Sequence, residues 1–140
     1  MRRLLTALAA TVSLAVPATS EAARVSDGTL DFAHEAGQTF WTKRGFETCP
    51  GKPRVWYRQR NRPNADWVAW AWLWGDPKCR IVLNSSTNWG ALGSYYGHTG
   101  RATVCAVVIH ESGHLAGLEH TSRGIMRGDS TIAYPRICGI

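Results

Sequence analysis

Apolar residues change their spacing several times along the chain, and each change predicts an element. Over residues 30–41, Phe32, Ala33, Ala36, Phe40 and Trp41 recur near one side of a helix. A Cys-Pro-Gly-Lys-Pro run at 49–53 breaks that period and leads into a strand over 54–58. Residues 60–64 form a polar connection, and 68–74 alternate bulky with small side chains, the period-two pattern of a half-buried strand. After a Gly75-Asp76-Pro77 turn, residues 79–84 predict a third strand. The stretch 85–100 is rich in Gly, Ser and Tyr and reads as a long loop. A helix over 101–116 follows, entered through a cap at Thr99. The order predicts an α+β class, a small twisted sheet packed on the second helix. No internal repeat or low-complexity tract interrupts it.

The second predicted helix carries the chemistry. Residues 110–120 read His-Glu-Ser-Gly-His-Leu-Ala-Gly-Leu-Glu-His. His110 and His114 are four apart, so they share one helical face and both can reach one ion. Glu111 lies about 100° round from His110, beside the ion without being obliged to ligate it. Gly117 can adopt the left-handed conformation that ends a helix, bending the chain so that His120 returns as third ligand. Three protein ligands leave a tetrahedral position open for water, the mark of a catalytic rather than a structural zinc site. Requiring Gly117 and His120 as well as the His-Glu-x-x-His core cuts chance matches by a factor on the order of several hundred.

With these residues the chain resembles the metzincin zinc metalloproteases, and the Gly-Leu-Glu-His-Thr ending is similar to that of small secreted bacterial matrixin-like members. The resemblance is carried by residues 105–126. It implies a reduced metzincin-like catalytic domain with a Met-turn, in which Gly124-Ile125-Met126 follows His120 and Met126 forms the floor under the metal. It further implies an endopeptidase with one catalytic Zn²⁺ on His110, His114 and His120. Glu111 is then the general base that takes a proton from water and returns it to the leaving amine. The gap from His120 to Met126 is shorter than in many matrixins. Arg127 and Gly128 follow the methionine, so the tyrosine that astacin-like members place there is missing and oxyanion stabilisation falls mainly to the metal. Tyr134-Pro135 is the counterpart of the segment that walls the primary specificity pocket in matrixins. Residues 81–84 are expected either at the cleft rim, where a substrate adds as an antiparallel strand, or as an interior strand. Several metzincins bind structural Ca²⁺, but no carboxylate-rich loop here calls for one.

The ends and composition place this site in an exported protein. Residues 1–22 read as a signal peptide: Arg2 and Arg3, a short apolar stretch to Val16, then Pro17 and small residues before cleavage after Ser20 or Ala22. The stretch is too short for a transmembrane anchor. Residues 23–140 then form a single domain of about 118 residues, with little room for an inhibitory prodomain. Cys49, Cys79, Cys105 and Cys138 all fall in it, and an even count in an exported domain reads as two disulfides. Three pairings are open. Cys49–Cys79 with Cys105–Cys138 is the expected one, the second pinning the C-terminus behind the active-site helix.

The formal charge of +6 and the run Arg54, Arg58, Arg60 and Arg62 fit a solvated surface. Export argues against nucleic acid as partner. Trp70, Trp72 and Trp74 share a strand face with Val68, either as core or as a platform for sugar rings. His34 and His98 lack partners at ligand spacing and are expected to be ordinary surface or loop residues. The expected partner is a peptide or protein substrate, met by a monomer with no membrane association after signal removal. The competing readings are a cell-wall glycan-binding protein and a zinc hydrolase of peptidoglycan cross-bridges.

Overall fold

A computed structural model describes residues 25–48, 54–58, 68–71, 79–84, 87–128 and 131–139. The fold they form is a small α+β arrangement in the order α1 (Asp27–Thr42), β1 (Arg54–Arg58), β2 (Ala69–Ala71), β3 (Arg80–Asn84), α2 (Trp89–Tyr95) and α3 (Gly100–Leu115), closed by a 3₁₀ turn at Arg136–Cys138. The expected signal peptide, the Pro-Gly turn at 50–51, Arg60, Arg62, Trp72 and Trp74 lie outside the described residues. Among the described residues, no helix is long and apolar enough to cross a membrane.

Helix α1 starts earlier than its apolar pattern, because Ser26 caps it by accepting from the Thr29 backbone N–H at 3.3 Å. Asp27 in the first turn suits the positive end of the helix dipole. Ala33, Ala36, Gly37, Phe40 and Trp41 form the buried stripe that packs on α3. The two helices approach closely. A Cβ on Gly37 would stand 2.8 Å from the Ser112 hydroxyl oxygen. That hydroxyl donates back to the Val108 carbonyl at 2.7 Å, so it is satisfied inside the contact.

The sheet order is β1–β3–β2, with β1 parallel and β2 antiparallel to β3. Residues 81–84 are therefore the interior strand of the two expected alternatives, and Ile81 and Leu83 are fully buried. A strand paired on both sides has no backbone groups left to receive a substrate, which removes β3 from the cleft rim. Among the described residues the antiparallel edge is β2. Its described residues are Ala69–Ala71, and residues 72–74 of the predicted strand lie outside the described residues.

The segment 85–100 is not the continuous loop its composition predicts. Asn88 accepts from the Ala91 N–H at 3.0 Å and starts α2. Two of its glycines are there for contact: a Cβ on Gly93 would lie 2.7 Å from the Thr99 carbonyl, and one on Gly100 would lie 3.1 Å from Trp89 and Gly90 backbone. Each glycine costs a helix about 1 kcal/mol relative to alanine, so packing against α3 has to stabilise α2.

Helix α3 sits at the centre, in contact with α1, α2, β2, β3 and the 3₁₀ turn. Thr99 is its cap, as expected, accepting from the Ala102 N–H at 3.1 Å. Residues 102–109 are buried without interruption, which is why α3 has no polar face over its first two turns. Cys105 and Cys138 form the expected disulfide, with Cα atoms 5.7 Å apart, and tie the C-terminal turn to this helix. Cys79 is also disulfide-bonded. Its expected partner, Cys49, lies outside the described residues.

Candidate metal centre

The end of α3 builds the site. Gly117 has φ +83°, the left-handed value its position called for. The Leu118 N–H bonds back to the Gly113 carbonyl at 2.9 Å, and the Gly117 N–H to the His114 carbonyl at 3.0 Å. This pair of bonds is a Schellman cap, which stops the helix and turns the chain. The cap also orients a side chain. Having reversed direction, Leu118 presents its carbonyl to His114, whose Nδ1–H donates to it at 2.7 Å.

His110 is held the same way from the other side. Its Nδ1–H donates to the Ile125 carbonyl at 2.7 Å. A carbonyl can only accept, so in both rings the proton sits on Nδ1 and the lone pair is left on Nε2. Histidine ligands of metals are commonly fixed by such partners. The two Nε2 atoms meet that of His120 at 3.2 Å from His110 and 3.1 Å from His114. All three ligand atoms lie within 4.8 Å of one another.

This geometry tests whether a zinc ion fits. Tetrahedral Zn–N bonds of about 2.0–2.1 Å require neighbouring nitrogens about 3.3 Å apart. The observed separations are close to that. A proton on His120 Nε2 could satisfy only one of its two neighbours, whereas a cation between the rings satisfies all three. The donor set fits.

The loop beyond His120 is laced across a few residues. The Thr121 N–H donates to the Met126 carbonyl at 2.8 Å, the Arg127 N–H to the Gly124 carbonyl at 3.2 Å and the Thr121 hydroxyl to the Arg123 carbonyl at 2.7 Å. Gly124 allows the turn with φ +76°. Met126 is buried and its sulfur lies against Gly113, the residue before His114. The Trp41 ring reaches the same glycine, and its Nε1–H donates to the Ile109 carbonyl at 2.7 Å. The core of α1 thus supports the turn of α3 between the two helical histidines.

Glu111 points into the protein and is only 6% exposed. Burial pushes its carboxyl up to about 8, partly offset by a hydrogen bond from the Ala71 backbone N–H. Burial likewise lowers His110 and His114, which favours the neutral imidazoles a cation needs. The Ala71 bond brings β2 to the site. The Val68 carbonyl accepts from the Asn84 N–H at 2.9 Å, so the alternation turns the backbone groups of Ala69 and Ala71 away from β3, which frees the Ala71 N–H for Glu111.

Other expected residues fall elsewhere. The Tyr134 hydroxyl is 3.1 Å from that of Thr103, and its ring stacks on His98 at 3.8 Å between centroids. Thr103 is seven residues before His110, on the same face of α3 but about 10 Å along it. His98 is half-buried in the loop between α2 and α3, and His34 is half-buried on α1. Sequence reasoning did not find Ala71, Gly113, Gly128 or the two orienting carbonyls. Backbone groups carry no side-chain signal, and only the glycines at 113 and 128 hint at a close approach.

No family model matches the chain, and no curated protein or solved structure matches it either.

Proposed function

We propose that this chain is an exported zinc-dependent endopeptidase with a reduced metzincin-like catalytic domain. The observation that carries the reading is the convergence of three Nε2 atoms, two of them oriented by backbone carbonyls, with the buried carboxyl of Glu111 next in sequence to His110. His110, His114 and His120 would hold the ion. When bound, zinc would supply a Lewis acid for the scissile carbonyl, acidify water at the open position and draw Glu111 toward its ionised form.

The remaining chemistry belongs to the chain. Glu111 accepts a proton from the attacking water and delivers it to the leaving amine, and burial keeps solvent from competing for that proton. The Ala71 N–H holds the carboxyl in place. Among the described residues the edge strand is β2, not β3, and a peptide would add along it as a further strand. From there it would pass Glu111 and the imidazoles. Export is supported by the Cys105–Cys138 disulfide, since such bonds persist in oxidising compartments.

The test is cleavage of a denatured protein by the wild type and by Glu111→Ala, with zinc content measured in both. The variant is expected to keep its zinc and lose at least about 100-fold in turnover, the usual scale for a general base. Wild-type-like cleavage by the variant would refute the role, and no cleavage by a folded, zinc-loaded wild type would refute the endopeptidase.

A further inference from the structure

We infer that Gly128 is the positioning residue of the third imidazole, an inference that rests on the metal site proposed above. His110 and His114 are each oriented by a carbonyl on Nδ1. Among the described residues, no hydrogen bond holds the Nδ1 of His120. It is also the exposed member of the set and the only one not on α3. Its ring must be placed by packing.

Gly128 supplies that packing. A Cβ built on it would lie 2.9 Å from His120 Cβ, 2.9 Å from Cγ and 3.1 Å from Nδ1. The backbone of residue 128 therefore lies against the root of the imidazole, opposite the Nε2 that meets the other two rings. It is anchored there, because the Gly128 N–H reaches the Thr121 carbonyl at 3.3 Å, one residue beyond His120. The atoms that would clash are at the base of the side chain. A flexible tip cannot swing away to relieve them, so the whole ring would have to move.

Space, not backbone conformation, is what demands glycine here. Gly117 and Gly124 have positive φ with nothing within 4 Å of an added Cβ. Gly128 is the reverse, with an ordinary φ and no room. Alanine at 128 is thus compatible with the backbone but displaces His120. Backing by Gly128 does for this ring what the carbonyls of Ile125 and Leu118 do for the others.

The experiment is a zinc titration of the purified, disulfide-bonded chain against a chromophoric chelator. The proteins are wild type, Gly128→Ala, His120→Ala, the double variant and His110→Ala. Wild type should bind one zinc, and Gly128→Ala should bind it about 10- to 100-fold more weakly, the range for disturbing a ligand's support. In the His120→Ala background the same substitution should change affinity by less than about two-fold, because the ring it displaces is gone. A Gly128→Ala affinity within about two-fold of wild type overturns the inference. So does an equal loss in the His120→Ala background, which would mean general damage to the loop or the fold. Failure of the metal site itself is separate: wild type and His110→Ala would then bind zinc equally poorly.

Discussion

Gly113→Ala tests the support beneath the site with one methyl group. The added Cβ would stand 2.3 Å from the Met126 sulfur and 2.7 Å from Trp41 Cζ2. Helix propensity favours the substitution by about 1 kcal/mol. Against this, overpacking a buried site costs about 1–3 kcal/mol. Trp41 can retreat only by stretching its 2.7 Å bond to the Ile109 carbonyl, a further loss of about 1 kcal/mol. The balance is a destabilisation of about 2 kcal/mol, or roughly 8 °C in Tm for a domain of this size. Urea and thermal unfolding of the metal-free chain would measure it, with Gly28→Ala as control because nothing lies within 4 Å of its added methyl. Displacing Met126 also moves the neighbouring Ile125 carbonyl from His110, so zinc affinity should fall with stability. A Gly113→Ala protein as stable as Gly28→Ala would show that α1 and the Met126 turn do not press on α3 as described.

Two further outcomes follow from the same geometry. In metal-free protein, Glu111 titrates at about 8 when folded against an ordinary 4.5, so between these values the folded state keeps a proton the unfolded state has lost. Stability should therefore fall as pH rises, by up to about 1.4 kcal/mol per unit. The lowered His110 and His114 oppose this below their ordinary 6.5, which leaves the fall visible between 6.5 and 8. Urea midpoints in chelator should show that slope in wild type and not in Glu111→Gln, and parallel slopes would contradict it. Replacing Cys105 and Cys138 together by alanine opens a loop of 33 residues and should cost about 3–4 kcal/mol on the chain-entropy model, read from the same urea curves. A loss below about 1 kcal/mol would mean that packing alone holds the C-terminal turn on α3.

The helical histidines, Glu111, the reversal at Gly117 and the caps of α3 were legible in the sequence. Each depends on interactions within one helical turn, and local spacing is enough to specify those. Helix α2 was not legible, because Gly93, which packs on the backbone of His98 and Thr99, looks in sequence like a glycine chosen for flexibility. The place of residues 81–84 was undetermined for a related reason: an apolar run can lie in the middle of a sheet or at its rim, and only pairing with β1 and β2 decides which. Tertiary structure also decided what surrounds the histidines. The carbonyls of Leu118 and Ile125, the Ala71 N–H and the backbone of Gly128 come from segments far apart or from atoms every residue shares. Side-chain chemistry names the ligands, but their orientation is set by backbone groups that only the folded chain brings within reach.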